Sequence, residues 1–100
     1  MSTATRLEPE RVREIAVRIL TKALGSYGFA DAKVSESEDT DGEPVIDISA
    51  IYAEPAREPD PRTSLKAELD IQRAIFREGD ERTVHVLHIL PTDDLSLPED

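Results

Sequence analysis

The sequence contains no cysteine and no tryptophan, and its aromatic residues are two phenylalanines and two tyrosines. Without cysteine, disulfide bonds, thiolate metal sites and cysteine nucleophiles are excluded. The scarcity of aromatic side chains predicts an aliphatic core, and it removes the stacking surfaces on which RNA-binding sheets depend. No apolar run approaches the ~20 residues of a membrane-spanning helix. We therefore expect a cytoplasmic protein that contacts neither nucleic acid nor membrane.

Motifs that carry chemistry are also missing. The sequence has no glycine-rich phosphate-binding loop and no Gly-x-Ser-x-Gly around a serine nucleophile. Ser37, Asp39 and Asp41 align with the first three ligand positions of a calcium loop, but the position that requires a bidentate glutamate is Ile48. A charged hairpin turn is the better interpretation of this segment. We expect neither a cofactor nor enzymatic activity.

The two histidines leave an alternative open. His85 and His88 are three residues apart on a predicted strand, so their side chains point to opposite faces and do not bind one metal ion from that strand alone. An enzyme would need one of them together with a carboxylate such as Asp47, as a metal site or an acid–base pair. This small enzyme is the first alternative to the function proposed below.

The net charge of −10 is unevenly distributed. Residues 1–30 hold five basic and three acidic side chains, whereas residues 31–60 hold ten acidic side chains against two basic ones, a net of −8. The acidic patch is Glu36, Glu38, Asp39, Asp41 and Glu43. Such a patch attracts a basic protein, or it serves only to keep the domain soluble. The basic side of the first helix gives a second alternative, an RNA-binding domain.

Apolar periodicity and turn residues predict one α+β domain over residues 8–91, between a flexible arm (1–7) and an acidic flexible tail (92–100). Two helices are predicted, the first from Glu8-Pro9-Glu10 to Gly25 and the second from Asp60-Pro61 to about Glu78. The predicted strands are about 30–38, 44–53 and 83–90. The last strand is apolar on both faces, which is typical of a central strand. We expect the order α-β-β-α-β, with both helices on one face of a small three-stranded mixed sheet.

This arrangement leaves surplus apolar surface. In the second strand, Ile46, Ile48, Ala50 and Tyr52 are assigned to the core, so the alternate residues face the open side of the sheet. The second helix has its apolar stripe at Leu65, Leu69 and Phe76, and Ile71 and Ile75 widen it. The predicted interaction surface is Val45, Asp47, Ser49, Ile51, Ile71, Ile75, His85, Leu87 and Ile89. For the last strand, the opposite choice of Val84 and Val86 with His88 stays open.

Contiguous apolar patches are uncommon on monomers. The sequence therefore favours a small acidic protein-interaction module without enzymatic activity. It either forms a homodimer or acts as an inhibitor-like, antitoxin-like or chaperone-like partner of a basic protein.

Overall fold

The computed structural model describes residues 5–91. The predicted order α-β-β-α-β is confirmed, with α1 at Pro9–Leu24, a 3₁₀ turn at Gly25–Tyr27, β1 at Phe29–Glu38, β2 at Pro44–Tyr52, α2 at Pro61–Arg77 and β3 at Thr83–Ile89. The acidic tail predicted at 92–100 lies outside the described residues. No helix among residues 5–91 is long and apolar enough to cross a lipid bilayer.

Both helices begin where the sequence predicts. Proline occupies the first turn of each, where its missing N–H costs nothing. In α2, the Asp60 side chain also accepts a hydrogen bond from the backbone N–H of Thr63 at 3.1 Å, which satisfies one of the free donors of the first turn. Local sequence signals therefore fix the start of α2, which connects β2 to β3.

The sheet has the strand order β1-β2-β3, with β1 and β2 antiparallel and β2 and β3 parallel. The β1–β2 loop is stabilised by the Asp39 carboxylate, which accepts the backbone N–H groups of Asp41 and Glu43 at 2.8 and 2.9 Å. The interpretation of β3 as a central strand is wrong, because β2 lies in the middle and β3 forms an edge. The apolar character of both β3 faces therefore has another cause, described below.

The core lies between the two helices and one face of the sheet. The four residues of β2 assigned to it are all buried, with Tyr52 the most exposed at 4%. From α1, the buried residues are Val12, Ile15, Ala16, Leu20 and Leu24, which follow the predicted three- and four-residue steps. The core is largely aliphatic, as the composition predicts.

The side chains of α2 face differently from what we expected. Ile71 and Ile75 were predicted to widen the interaction surface, but both are fully buried. Leu65, Leu69 and Phe76 are exposed instead. The helix is oriented by Ala67, a small residue buried on the same side as the two isoleucines, which allows close approach to the rest of the core.

The arm predicted to be flexible is attached at residues 5–7. The backbone N–H of Thr5 donates to the carbonyl of Gly79 at 3.0 Å. The N–H of Leu7 donates to the Asp80 carboxylate at 3.0 Å, and the Leu7 side chain packs against the core. Residues 5–7 are therefore in contact with the α2–β3 turn and its buried carboxylate.

Candidate interaction surface

The two faces of the sheet differ in how they are covered. The parallel register with β2 places Val84, Val86 and His88 on the helix-covered face, and His85, Leu87 and Ile89 on the open face. This is one of the two arrangements that the sequence left open. On the open face, Leu87 is the most exposed of the predicted surface residues and lies beside Ser49 of β2.

The open face is less apolar than predicted. Its β1 positions are Asp31, Lys33, Ser35 and Ser37. The neighbouring β2 residue Val45, expected to be exposed, is only 3% exposed. Ile51 and Ile89 are half-buried register partners. Exposed apolar surface on this face is therefore concentrated along β3, at Leu87.

The open face also brings Asp47 and His85 together. They are register partners, and the Asp47 Oδ1 lies 4.0 Å from the His85 Nδ1. The other carboxylate oxygen accepts a hydrogen bond from the Ser37 hydroxyl at 2.6 Å. The serine thus contacts the carboxylate rather than the imidazole, which is not the order that activates a serine nucleophile. Both members of the pair are largely solvated, so their interaction is weak.

His88 is separated from this pair, as its spacing predicts. It points to the helix side, where its Nδ1 lies 2.8 Å from the Tyr52 hydroxyl. Burial lowers the pKa of His88 and raises the pKa of Tyr52 to about 12. The lowered pKa favours the neutral imidazole in this hydrogen bond. Within residues 5–91, no three histidine, aspartate or glutamate side chains are grouped to hold a metal ion.

The outer edge of β3 is occupied by side chains of α2. The Gln72 Oε1 accepts from the backbone N–H of Val84 at 2.8 Å, and its Nε2 donates to the carbonyl of Arg82. The Glu68 carboxylate accepts from the N–H of Val86 at 3.1 Å. These bonds replace those of a neighbouring strand. They explain how a strand that is apolar on both faces is accommodated at an edge.

Next to this edge lies a stripe of exposed apolar residues on α2. Leu65, Leu69 and Phe76 are 56%, 43% and 60% exposed, and Leu87 is 64% exposed on the other side of β3. At ~100° per residue, the three helix residues fall within about 40° of one another, adjacent to Gln72. The α2 stripe lies on the helix side of the β3 edge and Leu87 on the open side, and we call these four residues the edge surface. The sequence predicts this stripe, but the predicted interaction surface contains Ile71 and Ile75 in its place.

The acidic patch lies at the opposite edge of the sheet. Glu36 and Glu38 belong to β1, and the other three acids are exposed in the β1–β2 loop. Glu36 forms an ion pair with Arg82 at 3.1 Å, so one of the five charges is compensated within the domain. The remaining acids face solvent and have no ion pair with the described residues.

A buried ion pair links the two edges, and the sequence analysis missed it. Asp80 is fully buried and accepts hydrogen bonds from the Arg82 guanidinium, the shortest at 2.8 Å. Burial alone would raise the pKa of Asp80, but the bonds from Arg82 and from the N–H of Leu7 hold it below its usual value. Arg82 also donates to the carbonyl of Leu7. Because every charge is paired, the cluster serves structure.

The expected RNA-binding side of α1 is partly neutralised. Arg11 forms ion pairs with Glu14 and Glu78, and Arg13 binds Asp31. These two arginines are therefore less available to phosphate groups.

Comparison with known proteins does not assign this chain. No family model matches it, and no curated protein matches it significantly.

Proposed function

We propose that this chain is a protein-interaction module without enzymatic activity, and that it forms a homodimer through the edge surface. The observation that supports the proposal is the clustering of exposed apolar residues. Among the described residues, the large hydrophobic side chains that are exposed are Leu65, Leu69, Phe76 and Leu87, and all four lie on α2 or β3. A monomer that leaves such residues in one place has a surface suited to association.

The distribution of charge favours a second copy as the occupant. The acidic patch belongs to β1 and its loop, two strands away from the edge surface. In a two-fold dimer joined at β3, five strand spacings of about 4.8 Å place the two β1 strands at least ~24 Å apart. Screening at physiological ionic strength acts over about 8 Å. The net charge of −10 therefore opposes this dimer only weakly.

Contact through side chains fits this edge better than pairing of β3 with its copy. The outward N–H groups of Val84 and Val86 already bind Gln72 and Glu68. A continuous six-stranded sheet would have to displace both bonds. A dimer formed through the α2 stripe and Leu87 leaves them intact, and it leaves the acidic patch on the outside for a basic partner.

The energetics predict a dimer that depends on concentration. Each of the four side chains is already partly buried, so completing its burial contributes roughly 1 kcal/mol. Eight such side chains in a dimer give about 8 kcal/mol, which is comparable with the estimated 4–15 kcal/mol cost of association. With the smallest estimated cost, about 4 kcal/mol remains, so we expect a monomer–dimer equilibrium with a dissociation constant in the millimolar range.

Light scattering coupled to size exclusion, over a hundredfold range of concentration, tests the proposal. The expected result is a mass that rises from 11.1 kDa towards twice that value. Leu69→Asp and Phe76→Asp each place a charge in the edge surface. Each should raise the protein concentration at which half of the chains are dimeric by at least tenfold. Ala30→Asp adds the same charge at an exposed position of β1 and leaves the midpoint unchanged.

Two results would contradict the proposal. One is a monomer at millimolar concentration. The other is a dimer that responds to Ala30→Asp but not to Leu69→Asp, because that dimer would use the acidic edge.

A further inference from the structure

A groove between α1 and α2 has the opposite charge from the rest of the molecule. It has a volume of about 500 Å³, and its lining includes five cations and one acid: Arg18, Lys22, Lys66, Arg73, Arg77 and Asp70. These six residues carry a net charge of +4, so the other residues of the chain together carry −14. A groove with this charge in a strongly acidic protein calls for a physical explanation beyond solubility.

Most of the positive charge in the groove is uncompensated. Asp70 forms ion pairs with Lys66 at 3.1 Å and with Arg73 at 3.8 Å. Arg18, Lys22 and Arg77 form no ion pair with any residue in the range 5–91. Like charges held together in this way repel one another, and an anionic ligand would relieve that repulsion.

The shape of the groove suits a chain rather than a small ion. From Lys66 to Arg77, α2 rises about 16 Å at 1.5 Å per residue. That length corresponds to about five residues of an extended peptide. Between the cations, the groove is lined by the apolar side chains of Ile19, Ala23 and Ala74, which are half-buried. A fitting ligand therefore combines several carboxylates with apolar side chains.

We propose that this groove binds an acidic peptide segment of a partner protein, with its carboxylates paired to the α1 and α2 cations and its apolar side chains on the alanine and isoleucine floor. This site goes beyond the proposed dimer. Lys66 and Arg73 lie three and four residues from Leu69 on α2, so the groove borders the edge surface. The peptide is a different ligand from the second copy of the chain, and its binding is measured separately.

Nucleic acid fits the groove less well than an acidic peptide. The groove lining has no aromatic residue on which a base could stack. A long polyanion would also extend beyond the groove towards the acidic remainder of the chain. A peptide of about five residues is short enough to stay within the positive region.

Fluorescence anisotropy with a labelled five-residue peptide of alternating glutamate and leucine tests the proposal. The groove variant Arg18→Gln/Lys22→Gln removes two unpaired cations. The matched control, Lys33→Gln/Arg62→Gln, removes two exposed cations outside the groove. Both variants change the net charge from −10 to −12. We expect saturable binding by the wild type, at least fivefold weaker binding by the groove variant and less than a twofold change in the control.

Three results would overturn the proposal. The first is no binding of the glutamate–leucine peptide at low salt, or binding that a lysine–leucine peptide reproduces. The second is tighter, groove-dependent binding of an eight-nucleotide RNA, which would assign the site to nucleic acid. The third is an increase of more than fivefold in peptide affinity when the acids among the chain's own residues 93–100 are replaced by amides. That result would mean that those acids compete with the peptide for the groove.

Discussion

The two edges of this sheet avoid uncontrolled pairing in different ways. At β1, protection comes from the strand's own side chains, because Ser35 to Glu38 are all exposed and polar or charged. At β3 the strand is apolar, and protection comes from Gln72 and Glu68 of α2, which occupy the outward N–H groups of Val84 and Val86. Because side chains of a helix protect β3, the side chains of the strand itself are free to be apolar.

The largest effect is expected when the ion pair of Arg82, the residue that contacts both edges, is broken. Arg82 binds Glu36 of β1 with its guanidinium, and its carbonyl accepts from Gln72 of α2. Asp80→Asn removes the buried counter-charge of Arg82, and breaking a buried ion pair of this kind costs about 3–5 kcal/mol. We expect that loss in the free energy of unfolding measured with urea.

The control for this variant is Glu81→Gln, which neutralises an exposed acid in the same turn and should change stability by less than about 0.5 kcal/mol. Equal losses for the two variants would mean that the turn, rather than the buried pair, matters.

A smaller effect is expected when the β3 edge alone is exposed. Gln72→Ala removes two hydrogen bonds, each worth about 1 kcal/mol, so we expect a loss of about 2 kcal/mol in the free energy of unfolding. The uncovered strand should also increase aggregation, measured by light scattering at high concentration. Arg73→Ala, at the next and exposed position of α2, is the matched control and should do neither.

The smallest effect is the pH dependence of stability caused by His88, near the end of β3. Burial holds the pKa of His88 below 6.5, so the folded state binds fewer protons at this residue than the unfolded state does. Stability is therefore fully present above pH 6.5 and falls as the pH drops below that value. We expect this loss to be smaller than that of Gln72→Ala, because His88 is only half-buried and the charged imidazole keeps part of its hydration.

Urea denaturation at pH 7.5 and pH 5.5 measures this loss, and His88→Gln should abolish it. The pKa values of Glu78 and Asp80 are held below the ordinary carboxylate range. The stability that these two carboxylates contribute is therefore lost only at a pH below the range of this experiment. An unchanged pH dependence in His88→Gln would assign the effect to other groups.

The sequence predicts the structure correctly where a residue pattern is compatible with only one arrangement. Alternation in β2 assigned Ile46, Ile48, Ala50 and Tyr52 to the core, and all four are buried. The proline and aspartate at the start of α2 gave its first residue. The spacing of His85 and His88 also correctly separated them onto opposite faces.

Where two patterns were equally apolar, the sequence did not decide between them. In α2, Leu65 and Leu69 lie on one stripe and Ile71 and Ile75 on another, and the choice depends on how closely α2 packs against α1 and the sheet. The position of β3 depends on Gln72, a polar residue whose partners are distant backbone groups. No local pattern predicts such a contact, and the same holds for the arm bound to Asp80.

The side-chain protection of β3 has a consequence for amide hydrogen exchange. The amides of Val84 and Val86 are held by side chains, so rotation of Gln72 or Glu68 can expose them while the helix and strand stay folded. Amides of β2, which lies between two strands, exchange only when a larger part of the domain opens. Exchange at these two valines therefore reports how readily the edge opens, independently of global unfolding.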